Sequence, residues 1–318
     1  MPRLLPARIE EAASIIDPVF LNTPQVSFAP LSRELGAEVT LKVETLNPIR
    51  SFKGRGTEFF VATLQSETSL VAASAGNFGQ GLARAAVKRG RRIVMFAAEN
   101  ANPLKIARMR DLGAEVFLSG RDFDAAKAAA REYAEREALL FVEDGREPAI
   151  SEGAGTIALE LSSEPFDAVL VPLGNGALIN GVGTWMKAKS PATKIIGICA
   201  AAAPSMEISW RSGVLQTTRT ADTIADGIAV RRPVPEALED MRATTDDVLL
   251  VTEAHLTEAM RQLLRHTGLL VEPAGAAGVA ALIAHRARFA GQRIATPLCG
   301  SNIAPEMLSL TAASASGD

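Results

Sequence analysis

Lys53 lies in NPIRSFKGRG, where a turn gives way to a helix. The positive end of a helix favours an uncharged amine over a second positive charge. A neutral amine can form a Schiff base with an aldehyde. Taken alone, the segment also reads as a solvated surface lysine flanked by Arg50 and Arg55. A second segment, SAGNFGQG (Ser74 to Gly81), follows the apolar run Leu70 to Ala73 and opens another helix. Its small residues admit a close backbone approach, and the first helical N–H groups lack partners. Such a loop suits a carboxylate, with the Asn77 amide free to meet a ring oxygen; it reads equally as a capped helix with glycine turns.

LGNGALING (Leu173 to Gly181) repeats the strand–loop–helix setting. The backbone from Gly174 to Gly176 can cradle a phosphate, or it is a plain tight turn. It lacks the lysine and hydroxyl of a nucleoside-triphosphate loop and the order of a dinucleotide fingerprint. PLCGSN (Pro297 to Asn302) ends the last apolar run. Cys299 there reads either as a small group facing a ring nitrogen or as a buried structural thiol.

These segments must be carried by elements that alternate. Strands are expected at Val39 to Val43, Leu70 to Ala73, Arg92 to Ala97, Glu115 to Leu118 and Leu139 to Val142, with helices between them. The pattern resumes with strands at Ala168 to Val171, Ile195 to Cys199, Asp247 to Val251 and Arg293 to Leu298. Short apolar runs separated by helices of ten or more residues (about the usual length) indicate parallel βαβ units. The expected fold is α/β, with two parallel-sheet lobes and a cleft between them where loops after the strands collect. The tail from Ala312, AASASGD, reads as frayed.

Composition narrows the function classes. With 47% apolar and 22% charged residues in 318, the chain is an ordinary globular one. A net charge of −3 offers no field to draw nucleic acid or anionic lipid. The start, MPRLLPARIEEAAS, has no apolar stretch long enough for a signal peptide, and the longest uncharged run, Ala168 to Met186, is interrupted by Pro172, Asn175, Asn180 and four glycines. Cys199 and Cys299 make no disulfide framework, and the reduced, cytoplasmic reading is preferred. His255, His266 and His285 are too scattered for a zinc motif and are expected as solvated helix residues.

In this order, the segments resemble the fold-type II pyridoxal 5'-phosphate enzymes, in the threonine/serine dehydratase branch, with serine racemase as a near relative. The resemblance runs from NTPQVSFAPLSRELGAEVTLKVETLNPIRSFKGRG through SAGNFGQG, EGAGTIALE, VPLGNGALINGVG, ADTIADGIAVRRP and VEPAGAAG to PLCGSN. It implies that Lys53, beside Phe52, carries pyridoxal 5'-phosphate as a Schiff base. Ser74, Ala75, Gly76 and Asn77 match the loop for the substrate carboxylate, and Asn77 also meets the cofactor's ring oxygen. Gly174, Asn175, Gly176, Ala177 and Leu178 match the phosphate loop. Cys299 matches the Ser/Cys at the ring nitrogen, and Glu272 a glutamate lining the cleft. The resemblance further implies a small lobe at residues 46–145 inserted in a large lobe of 1–45 plus 146–318, and a homodimer or homotetramer. The implied reaction is loss of the β-hydroxyl from a small amino acid such as L-threonine or L-serine, giving a 2-keto acid and ammonia.

Departures from the family pattern bear on substrate and reaction type. GNGAL stands for the commoner GGGGL, placing Cβ atoms at Asn175 and Ala177. Phe78 stands where His is usual, Arg50 where Gly is usual, and Gly54 where a larger apolar residue is common. Hydroxyaspartate or phenylserine are therefore alternative substrates, with specificity expected in Phe78 and in Met206 to Thr220. The racemase branch has a serine where this chain has Ala75, whose methyl cannot move a proton, so elimination is expected over racemisation. β-Replacement or a threonine synthase-like reaction ranks below both, and a binding or scaffold role without catalysis is the remaining alternative. Cys199 and Ser205 stand where relatives place metal-binding carboxylates, so no metal site is expected there. No regulatory domain is expected after PLCGSN.

Overall fold

The computed structural model describes residues 2–65, 67–101 and 103–312, so the tail beyond 312 lies outside the described residues. Its strands are β1 (Gln25–Ser27), β2 (Glu38–Val43), β3 (Leu70–Ala73), β4 (Ile93–Ala97), β5 (Glu115–Leu118), β6 (Leu140–Val142), β7 (Ala168–Pro172), β8 (Lys194–Ala200), β9 (Asp247–Val251) and β10 (Arg293–Leu298). The larger helices begin with α1 (Pro6–Ile15), α2 (Ala29–Leu35), α3 (Lys53–Thr63), α4 (Asn77–Lys88), α5 (Pro103–Asp111) and α6 (Phe123–Arg136). They continue with α7 (Pro148–Leu161), α8 (Ala177–Lys189), α9 (Ser205–Ser212), α10 (Pro235–Thr244), α11 (Glu253–Thr267) and α12 (Ala277–Ala284).

The strands form two sheets, one ordered β1-β2-β10-β7-β8-β9 and the other β5-β4-β3-β6. Every pairing is parallel except β1 with β2. Parallel strands covered by helices on both faces read as continuous apolar runs, and β4 and β7 are buried along their whole length. Alternation sorts their side chains between two cores. Leu170 and Ile198 pack on the face shared with Leu282 of α12, whereas Val169 and Val171 pack on the face shared with Ile179 and Val182 of α8.

The strands expected from sequence are present within one or two residues. Absent from that reading are α1, β1, α2 and α9. The α1 and α2 segments start at or beside a proline, which fits a first helical turn because the missing N–H is needed nowhere there. β1 is only three residues long and half exposed, too short to show a period. Among the described residues, no helix is long and apolar enough to cross a membrane.

Topology sets the place of the site. In the small sheet the chain leaves β3 to one side for β4 and β5, and to the other for β6. In the large sheet the order reverses between β7 and β10. Loops diverging from the carboxyl ends at such reversals open a crevice. The four loops in question start at Ser74, after β6 at Glu143, at Leu173 and at Cys299.

Candidate active site

A cavity of about 870 Å³ receives all four loops. Its walls include Phe52, Lys53, Ser74, Ala75, Gly76, Asn77, Gly174, Asn175, Gly176, Ala177, Leu178, Glu272 and Cys299, the full set singled out in the sequence. Phe78 lines it as well. From Met206 to Thr220, only Arg219 and Thr220 reach the cavity, so most of that stretch faces elsewhere, beginning with α9.

Lys53 is the first residue of α3, and Phe52 caps that helix. The approach to it is tied to the end of β10. Ser51 and Gly300 form an isolated β-bridge. The Phe52 N–H and the Ser51 hydroxyl both donate to the Cys299 carbonyl, at 3.0 and 3.1 Å. Arg50 holds φ at +53° to make that turn, the left-handed region in which glycine is favoured. The surface-lysine reading does not survive. The Lys53 side chain is 15% exposed and donates to Asp144 Oδ2 at 2.7 Å, with its ammonium 4.7 Å from the centre of the Phe52 ring.

Arg55, one of the flanking cations of that reading, is wholly buried. It forks onto Glu44, meets Glu160 at 2.6 Å, and Glu160 in turn takes Lys42 at 2.5 Å. Burial works against the charge of Arg55, but Glu44 and Glu160 outweigh it and hold the guanidinium charged. These groups pin the first turns of α3 to β2 and α7. The sequence carried a signal for them: Lys42 stands between Leu41 and Val43 in β2, and Glu44 follows directly.

Two helix N-termini open into the cavity. Gly76 caps α4 and Gly176 caps α8, and neither brings a side chain to accept the first-turn N–H groups. In the α4 loop, Ser74 Oγ accepts the Gly76 and Gly79 N–H groups at 3.1 Å, which leaves its own proton for another acceptor. A Cβ built on Gly76 would meet nothing within 4 Å. In the α8 loop, the positive φ of +91° falls on Gly176, and Asn175 and Ala177 are not among the residues with positive φ. The Cβ atoms of GNGAL therefore introduce no left-handed strain. A Cβ on Gly174 would lie 2.7 Å from the Gly227 carbonyl, so that position is held small.

Asn77 is engaged within the protein. Its amide donates to Glu272 Oε1 at 2.7 Å and its oxygen accepts from Asn302 at 2.7 Å. The second amide proton remains for a ring oxygen. Asn302 also gives its backbone N–H to Glu272 Oε2 at 3.0 Å. Burial, with the Asp226 charge nearby, pushes the Glu272 carboxyl up to about 7, against the opposing pull of Lys105, Asn77 and Asn302. Burial, reinforced by the Glu272 and Glu44 charges, pushes the Cys299 thiol well up, so it stays protonated; it donates to the Pro297 carbonyl at 3.5 Å.

Sequence reasoning missed Asp144 and Asn302. Asp144 sits in EDGREP, which reads only as a turn, and Asn302 lies at the end of the quoted PLCGSN without a residue type that announces a role. At the cavity mouth, ion pairs join the two sheets' loops: Lys105 with Asp226, Arg231 with Asp124, and Lys127 with Glu143 on one side.

Elsewhere, Cys199 is buried, its thiol raised to about 12 by burial, and Ser205 donates to the Val230 carbonyl at 2.6 Å. Among the described residues, no three acidic, His or Cys side chains group to hold a metal. His255 takes part in the capping box of α11 with Thr252.

This donor set fits a phosphorylated aldehyde: an amine at Lys53, an anion cradle at 174–178 and a neutral thiol at 299. A second anion cradle, at 74–77, remains for another ligand.

Comparison with known proteins agrees. The family model described as pyridoxal-phosphate dependent enzyme matches residues 16–300. The L-threonine ammonia-lyase of Geobacter sulfurreducens is 36% identical over 307 residues, covering 95% of this chain and 76% of that protein. The processed form of threonine deaminase isoform 2 from Solanum lycopersicum superposes with a TM-score of 0.88 at 28% identity, covering 96% of this chain and 88% of that one. Maize serine racemase superposes with a TM-score of 0.90 at 24% identity, covering 98% and 97%, which shows the shared fold alone.

Proposed function

The chain belongs to the family of pyridoxal-phosphate dependent enzymes, and on that premise we propose that it is an ammonia-lyase removing the β-hydroxyl of L-threonine or L-serine to give a 2-keto acid and ammonia. The observation that carries this reading is the meeting of Lys53 with two glycine-capped helix N-termini in one cavity. When bound, pyridoxal 5'-phosphate supplies the electron sink.

The chain's own residues do the rest. Lys53 Nζ would hold the cofactor, and as a free neutral amine it would take the α-proton as a general base. The Gly174–Leu178 cradle takes the phosphate, and the α4 N-terminus with Ser74, Ala75, Gly76 and Asn77 takes the substrate carboxylate. Asn77, held by Glu272 and Asn302, offers its remaining N–H to the ring oxygen. Cys299 would face the ring nitrogen with a neutral thiol, its proton given to the Pro297 carbonyl, and so would add no charge there. Ala75 brings a methyl group to the cavity, so no proton donor stands at that position for racemisation.

Lys105, Lys127 and Arg231 at the mouth are already paired with acids, which favours a hydroxyl side chain over a second carboxylate. The same reading takes residues 46–145 as a small lobe inserted between 1–45 and 146–318, and the enzyme as a cytoplasmic homodimer or homotetramer.

The test is a panel of serine, threonine, hydroxyaspartate and phenylserine in all stereoisomers, scored for keto acid and ammonia, with chiral analysis of recovered substrate. Release from L-threonine or L-serine with unchanged chirality is expected. Racemised substrate without keto acid, or no turnover of any member, would overturn the proposal.

A further inference from the structure

The loop after β6 puts a carboxylate against the reacting amine, and nothing in the expected site set accounts for it. Asp144 Oδ2 lies 2.7 Å from Lys53 Nζ, and both side chains are nearly buried, at 11% and 15% exposed. Asp144 Oδ1 is buried with no hydrogen-bond partner. Its acidic neighbour, Glu143, is satisfied separately by Lys127 and Arg131. The Asp144 charge is therefore committed to Lys53 alone.

The loop is also fixed in place. Gly145 holds φ at +87°, and a Cβ there would lie 2.2 Å from the Asn175 carbonyl. The turn that carries Asp144 thus packs directly on the 174–178 cradle. A charge at that spot stays in register with both the amine and the phosphate site.

We propose that Asp144 is a positioning residue for Lys53: its carboxylate holds Nζ in place and stands beside that nitrogen to balance the charge it gains on taking the α-proton. The inference rests on the reading of Lys53 as the reacting amine. In the reaction, the α-carbon–hydrogen bond of the substrate breaks, its electron pair stays with the substrate, and the proton arrives on Nζ. The resulting ammonium forms beside a carboxylate instead of in an apolar pocket, where a lone charge is costly. The same carboxylate orients Nζ toward the 174–178 loop when the amine waits for the cofactor. A nearly buried carboxylate bound to one amine, with its second oxygen unshared, is arranged for that amine and not for general solubility.

The experiment uses the full chain. In the cofactor-free protein, a brief pulse of an acylating reagent at successive pH values, read by peptide mass spectrometry, reports how much of Lys53 is a reactive amine. Asp144→Asn and Asp144→Ser both remove the charge, and Asp144→Glu keeps it. The proposal expects the two neutral variants to label Lys53 about tenfold faster than wild type, because the amine is no longer held by the carboxylate. Asp144→Glu, which keeps the carboxylate, should stay within about threefold of wild type.

In the loaded enzyme, kcat of the neutral variants should fall by about tenfold or more, the low end for a lost proton-transfer partner, with KM changed less. Superimposed labelling profiles, or an equal shift in all three variants, would overturn the proposal. Labelling proceeds without substrate or turnover, so this result can go against Asp144 while the lyase reading stands, and the reverse.

Discussion

Glu272 carries a stability cost that rises with pH, and its size follows from its surroundings. The carboxyl is 3% exposed and held at about 7, against an ordinary 4.5. The folded state therefore binds its proton more tightly than the unfolded chain does. The associated stabilisation is fully present below about pH 4.5 and is lost as pH rises through about 7. At about 1.4 kcal/mol per unit, the loss between those limits is about 3–4 kcal/mol.

Glu272→Gln abolishes this titration while keeping the side chain's shape. One of the donors from Asn77 and Asn302 then faces an amide NH₂, a penalty that is independent of pH. Denaturant unfolding of cofactor-free wild type and variant across pH 5 to 9 gives the difference in stability at each pH, the range chosen to bracket Glu272 at about 7. Asp240, also raised by burial, to about 6, titrates in both proteins and cancels. The difference should shift by about 3 kcal/mol in favour of the variant as pH rises. Parallel curves, with a difference constant to about 0.5 kcal/mol, would refute the burial argument.

Three further substitutions test other parts of the account. Gly76→Ala puts a methyl into open space at the α4 N-terminus, so KM should rise by about tenfold, worth about 1.4 kcal/mol of binding, while the thermal midpoint stays unchanged; an unaltered KM would place the carboxylate elsewhere. Arg50→Gly relieves a left-handed residue at φ +53° and should stabilise the fold by about 0.5 kcal/mol after the entropy cost of glycine, measured by denaturant midpoint. Arg55→Met leaves the buried Glu44 without a cation and Glu160 with Lys42 alone and should cost about 3–5 kcal/mol; a loss below about 1 kcal/mol would mean the network is solvated.

The sequence made the sheets and most of the cavity wall legible because both rest on local signals. Apolar runs such as Leu70 to Ala73 and Ala168 to Val171 mark strands, and the glycine loops following them mark helix starts open to a ligand. What stayed hidden depends on contacts between distant segments. Asp144 meets Lys53 only because β6 pairs with β3 and the loop after it packs on Asn175. The Asn77–Glu272–Asn302 network joins three segments far apart in the chain. Arg50 was visible as a departure from glycine, and its backbone angle supplies the physical reason that glycine is usual there. The GNGAL departure raised the question of strain at Asn175 and Ala177, and the placement of the positive φ on Gly176 answers it.

Lys53 is the amine on which the account turns. Incubating the protein with pyridoxal 5'-phosphate, reducing with borohydride and mapping the added mass by peptide sequencing tests it directly. The account predicts the modification on Lys53, with an intact, unmodified chain in Lys53→Ala. Modification centred on Lys42, Lys105 or another lysine, or none at all, would contradict it.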